Sequence, residues 1–207
     1  MTSMKIPKMV KRRNRKPNLF MLNPPALFSA SSPWVGAGGV YRKTLSDGSS
    51  DAQQILESIE ELSQKYSIMP SVRAFALSLM PRTMVNDDQL AQLNAISQFV
   101  VNDMMYVRDP VGVEYFVAVP KMLQEYAQTG KIFADCDDHV LMFNSLMKAV
   151  GFNVRAVATN IGDTSYHDHV FSEFMMNGKT YDFDGCKKTN PFERKTGDRL
   201  AVVPLVP

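Results

Sequence analysis

Cysteine is scarce in this 207-residue chain, which has two, Cys136 and Cys186. That excludes a disulfide-stapled secreted scaffold, and a chain of this length buries a sizeable core without staples. Also missing is any apolar run of about 18 residues, the length a membrane-spanning helix needs. No internal repeat is present. Acid is absent from the first part of the chain, where the first acidic residue is Asp47. Between Lys5 and Lys16 stand seven basic residues, Lys5, Lys8, Lys11, Arg12, Arg13, Arg15 and Lys16. Setting those seven aside from the 23 Lys and Arg leaves 16 against 21 acidic residues, so the net charge of +2 hides a basic arm on an acidic body.

The arm is expected to run through residue 48. Leu19–Leu22 after a basic start resembles a secretory leader, but Asn23-Pro24-Pro25 interrupts the apolar region such a leader needs. Pro-Pro and the Ser/Ala/Gly-rich stretch that follows favour extended, irregular backbone. A basic run this short offers weak, salt-sensitive docking to nucleic acid or to an acidic protein surface, or simply stays solvated.

From residue 49 to the end the pattern is that of one domain. Ile55, Ile59, Leu62 and Tyr66 recur at helical spacing behind Ser49 and Ser50, which suit a cap. Pro70 opens a second helix to Met80. A third starts at Asn86 or Asp87 and carries the stripe Leu90, Leu93, Ile96, Val100 and Met104. The stretch from Val111 to Val119 reads as loop, and a short helix from Pro120 ends at Gly130. A strong helix covers Cys136 to Val150, with Val140, Phe143, Met147 and Val150 on one face and Gly151 as its stop. The period then changes to two: Asn153 to Thr159 and His169 to Met176 read as strands. Asn177-Gly178 is a hairpin turn, with Lys179 to Asp184 as its return strand. Helices first and strands later argue for an α+β domain.

Cys136 falls at a helix start, where unpaired N–H groups stabilise a thiolate, although Asp135, Asp137 and Asp138 oppose that effect. If Asn177-Gly178 is a two-residue turn, paired residues sum to 355. His169 then lies opposite Cys186, Phe171 opposite Asp184 and Glu173 opposite Asp182. His169 and Asp184 share a face as diagonal neighbours within side-chain reach. An aspartate there fixes the imidazole tautomer and leaves the other ring nitrogen for a thiol. Cys136, His169 and Asp184 thus suit the roles of nucleophile, base and orienting group. The same register opposes Glu173 and Asp182, two like charges that require a cation or a bulge between them. A bulge would offer Asp182 to the histidine instead. Cys136, His139, His167, His169 and Cys186 are also ligand types for zinc, and a Cys136–Cys186 disulfide would remove the nucleophile.

Asp135-Cys136-Asp137-Asp138 entering a helix that ends Ala149-Val150-Gly151-Phe152-Asn153-Val154-Arg155 resembles the transglutaminase-like superfamily. His169-Val170-Phe171-Ser172-Glu173 and Asn177-Gly178-Lys179-Thr180-Tyr181-Asp182-Phe183-Asp184 resemble its histidine and aspartate motifs. Ala134, Phe171 and Thr180 stand where that family usually has Gly, Trp and Trp. Arg73, Asp109-Pro110 and Glu114 resemble the helical lead-in of its small stand-alone members, common in bacteria and phages. The resemblance covers roughly residues 70–186 and implies a papain-like fold in which Cys136, His169 and Asp184 form a triad. It further implies acyl transfer on a protein or peptide amide, by a cysteine peptidase or amidase or by a transglutaminase, with no cofactor. Its phage members suggest the host cytoplasm or a virion sooner than secretion. The rival expectation is a structural, virion-associated protein that keeps the fold as a scaffold among assembly partners and uses the arm as a tether.

Overall fold

The computed structural model describes residues 35–44, 49–81, 88–110, 113–160 and 168–205. The basic run Lys5–Lys16 and His167 lie outside the described residues.

Four of the helices follow the apolar periodicity closely. They are α1 (Ser49–Ser67), α2 (Pro70–Leu79), α4 (Val119–Thr129) and α5 (Cys136–Ala149). Pro70 sits in the first turn of α2, where its missing N–H costs nothing. Gly130 closes α4 at φ 78°, the left-handed conformation glycine adopts freely. Asp88 caps α3 (Gln89–Asp103) by accepting the Ala91 N–H at 2.9 Å.

The third helix is shorter than its stripe suggests. It stops at Asp103, and Met104–Tyr106 forms strand β3, paired in parallel with β5 (Ile132–Ala134). Lys188 secures the junction, its ammonium donating to the carbonyls of Val101 and Met104. The stretch read as a loop after Pro110 contains strand β4 (Val113–Val117). The end of the expected arm is also folded: β1 (Val35–Ala37) and β2 (Val40–Thr44) form an antiparallel pair, and β2 pairs with β4.

The main sheet has the order β8-β7-β6-β9 and is antiparallel throughout, built from β6 (Val154–Thr159), β7 (His169–Met176), β8 (Lys179–Phe183) and β9 (Arg199–Leu200). The β7–β8 register pairs Ser172 with Phe183 and Glu173 with Asp182, the pairing the two-residue turn implies. Asn177 at φ 52° and Gly178 at φ 69° both take the positive φ that a tight hairpin requires.

Helix α5 is the centre of the molecule, a change from the single apolar face the sequence suggests. It packs on α1, α2 and α3 and also on β6 and β7, and residues from Asp137 through Met147 are buried all round. Phe143 stacks on Phe183 at 4.0 Å between ring centres, fixing the helix to the hairpin. Arg73 of α2 donates to the Ala149 carbonyl at 2.8 Å, satisfying an end group of α5. Lys148 bonds Glu60 at 2.8 Å, and Glu60 in turn accepts the Ala156 N–H at 2.6 Å, so α1, α5 and β6 meet in one polar contact. The architecture is α+β: helices around a buried central helix, with small sheets.

Candidate active site

Cys136, the first residue of the buried helix α5, lies against Val170, the second residue of β7. The Cys136 sulfur has the backbone N–H of Val170 as a hydrogen-bond partner, together with its own backbone N–H. Val170 directly follows His169, so the thiol rests against the backbone of β7 one residue after the histidine. His169 Nε2 meets Asp184 Oδ2 at 3.0 Å, with both side chains buried. Nδ1 is the ring nitrogen left for another partner.

Asp184 lies just past the end of β8, held by further contacts. Its Oδ1 accepts the Cys186 N–H at 3.1 Å, its own N–H donates to the Pro191 carbonyl at 2.8 Å, and Lys195 Nζ stands 2.5 Å from Oδ2. Burial pushes its carboxyl up, but His169 and Lys195 outweigh burial and hold it well below the ordinary carboxylate range. Gly185 is required next to it: a Cβ there would come within 2.6 Å of Val100 Cγ1 and 3.4 Å of His139 Cδ2.

Asp182 goes elsewhere. Arg199 spans the like-charged pair opposed by the register, with Nη2 at 2.6 Å from Glu173 Oε1 and 3.0 Å from Asp182 Oδ1. Nη1 adds a 3.0 Å bond to Asp182 Oδ2, and Arg155 takes the other Glu173 oxygen at 2.5 Å. A cation intervenes, and the ladder continues through the pair without a bulge. The guanidinium also lies 4.9 Å from the Phe171 ring centre, a favourable cation–π contact.

Cys136, His139, His169 and Cys186, ligand types for zinc, do not converge among the described residues. His139 Nδ1 lies 2.5 Å from the Asp135 carbonyl, its ring 6.4 Å from that of Tyr106, and burial lowers its proton affinity. Cys136 and Cys186 are both free thiols.

The oxygen ligands that do converge were not singled out as such from the sequence. Carboxyl oxygens of Asp109, Glu114 and Asp135 lie within 4.8 Å of one another, the donor type a hard cation takes. Asp137 and Asp138 stand close by, buried; Asp138 accepts the Val117 N–H at 2.9 Å, and Asp109 accepts the Tyr115 N–H at 2.5 Å. Burial, then Asp135 and Asp109, push Glu114 up to about 8, and burial and Asp135 push Asp109 to about 6. Asp137 and Asp138 are also raised, by burial first and then by Asp135.

The helix start does not lower the thiol's proton affinity. Burial and then Asp135 push Cys136 well above the ordinary thiol range, against the hydrogen bond from Val170. Cys186 is raised as well, by burial and then by Cys136. A resting thiol of this kind needs a base to remove its proton as it reacts. Met105, Tyr106, Val107 and Phe133, on β3, the residue after it and β5, are exposed to solvent, and β5 leads into Cys136.

No family model matches the chain, and no curated protein matches it. Among solved structures it is similar to a proposed protease of Parabacteroides distasonis, at a TM-score of 0.44 and 10% identity, over 68% of this chain. The chain spans 31% of that protein's length.

Proposed function

We propose that the chain is a thiol enzyme with a papain-like, transglutaminase-like core that opens amide bonds through Cys136, His169 and Asp184. The observation that carries this is the buried His169–Asp184 pair, one ring nitrogen bonded to the carboxylate, beside a helix-start cysteine lodged on the Val170 N–H. His169 Nδ1 takes the proton from Cys136 Sγ as the sulfur bonds to the amide carbonyl carbon. The imidazolium then gives that proton to the leaving nitrogen as the C–N bond breaks, and a thioester remains on Cys136. Water, deprotonated by the same imidazole, opens the thioester, releases the acid and restores the thiol. The Cys136 N–H at the start of α5 supplies a donor for the oxyanion. Asp184 holds the ring tautomer and stabilises the imidazolium. Hydrolysis is the favoured outcome, since no residue around the thiol specifies an amine acceptor among the described residues.

Alkylation by iodoacetamide, followed site by site by peptide mass spectrometry, tests the reading. Cys136 should be modified at least tenfold faster than Cys186 at neutral pH, and His169→Ala should remove most of that advantage. Equal rates for the two thiols, unchanged by His169→Ala, would sink it.

A further inference from the structure

We propose that Lys195 is a positioning residue of this site: its ammonium shares Asp184 Oδ2 with His169, fixes the carboxylate and restrains the imidazole from holding a second proton. The inference rests on the role proposed above for His169 and Asp184.

Lys195 comes from the stretch after β8, which folds back over the hairpin and is fixed at several points. The Asp184 N–H donates to the Pro191 carbonyl, and the Lys195 N–H donates to Asp182 Oδ2, both at 2.8 Å. Phe192 packs against Phe183 and Phe174, its ring centre 5.2 and 6.3 Å from theirs. Lys195 therefore engages both acids of Asp182-Phe183-Asp184, the first through its backbone and the second through its side chain. That side chain is only 10% exposed, and an ammonium so far out of water requires a carboxylate partner.

The geometry has a chemical consequence. Asp184 Oδ2 receives Lys195 Nζ at 2.5 Å and His169 Nε2 at 3.0 Å, while Oδ1 receives the Cys186 N–H. All its contacts come from donors, so the carboxylate is immobile and its charge is divided. A second proton on the imidazole would place two cations on one oxygen, and they repel. Lys195 thus favours the neutral ring, the form that accepts the thiol proton.

The other groups around the pair do not substitute for this charge. Cys136 and His139 belong to α5, His139 acting on Asp184, and Cys186, Lys187 and Lys188 lie on the loop after Asp184. The two thiols and His139 are uncharged near neutral pH; Lys187 pairs with Glu193 at 2.8 Å, and Lys188 is spent on the end of α3. Asp182 is neutralised by Arg199, and Asp135, the residue before Cys136, bears on the thiol.

The test is the ring C–H resonances of the three histidines followed against pH in the full-length protein, with His169 assigned by its loss in His169→Ala. Lys195→Met should raise the His169 titration midpoint by about one pH unit, and Lys195→Arg, which keeps the charge, should leave it within a few tenths. If the methionine variant fails to fold, Lys195→Gln is read in the same way. An unmoved midpoint in a folded neutral variant would overturn the proposal. If that happens while Cys136 alkylation still depends on His169, the proposed chemistry stands and only the role of Lys195 falls. If the midpoint shifts but alkylation ignores His169, the coupling stands and the proposed chemistry falls.

Discussion

Arg199→Met is expected to destabilise the fold by about 3 kcal/mol, read as a lower urea midpoint at unchanged slope. Arg199 is the cation that makes the β7–β8 register possible, bonding Glu173 and Asp182 together at 2.6 and 3.0 Å. Those carboxylates are 8% and 4% exposed, so water replaces little of what the guanidinium supplies. Glu173 keeps Arg155, whereas Asp182 keeps only the Lys195 N–H among the bonds described. Much of the cost is therefore an uncompensated charge on Asp182, and adding Asp182→Asn should restore at least half of the loss. A loss below about 0.5 kcal/mol, the size typical of surface positions, would show that the pair needs no cation.

The second large effect concerns the acids around Glu114. Its carboxyl is raised to about 8 by burial and by Asp135 and Asp109, from an ordinary 4.5. Between those values the folded chain holds a proton that the unfolded chain has released. The stabilising contribution is then complete below about 4.5 and is lost as pH rises through about 8. Glu114→Gln keeps the neutral, hydrogen-bonding shape and removes the titration. The variant should match its parent near pH 4.5 and exceed it by roughly 1–3 kcal/mol at pH 8.5, after discounting for the group's partial exposure. Urea melts across that range measure the difference. Parallel stability curves for variant and parent would show that Glu114 is ionised throughout the range in the folded protein.

How far each feature could be read from the sequence follows from how local its cause is. The β7–β8 register follows from two turn residues, and with it came the His169–Asp184 neighbourhood and the need for a cation or a bulge between Glu173 and Asp182. Which cation was not legible, since Arg199 reaches that pair only through the return of the chain along β9. Lys195 was hidden for the same reason. Strand β3 went unseen because Met104 continues the helical stripe of Leu93, Ile96 and Val100, while its partner β5 lies 28 positions further on. The β1–β2 pair was masked by Gly- and Ser-rich composition that reads as extended arm. For the thiol, the helix start argued for a lowered proton affinity; burial and Asp135 reverse that sign, and the extent of burial was not available from spacing.

The central claim is that Cys136 carries an acyl group during turnover. The most direct measurement exposes the protein to a small activated ester, such as a p-nitrophenyl ester, and follows the acylated sites by peptide mass spectrometry over time. The account requires a thioester on Cys136 that forms first, is cleaved by hydroxylamine, and is lost by hydrolysis more slowly in His169→Ala. Acylation confined to lysines and Cys186, with Cys136 unmodified, would contradict it.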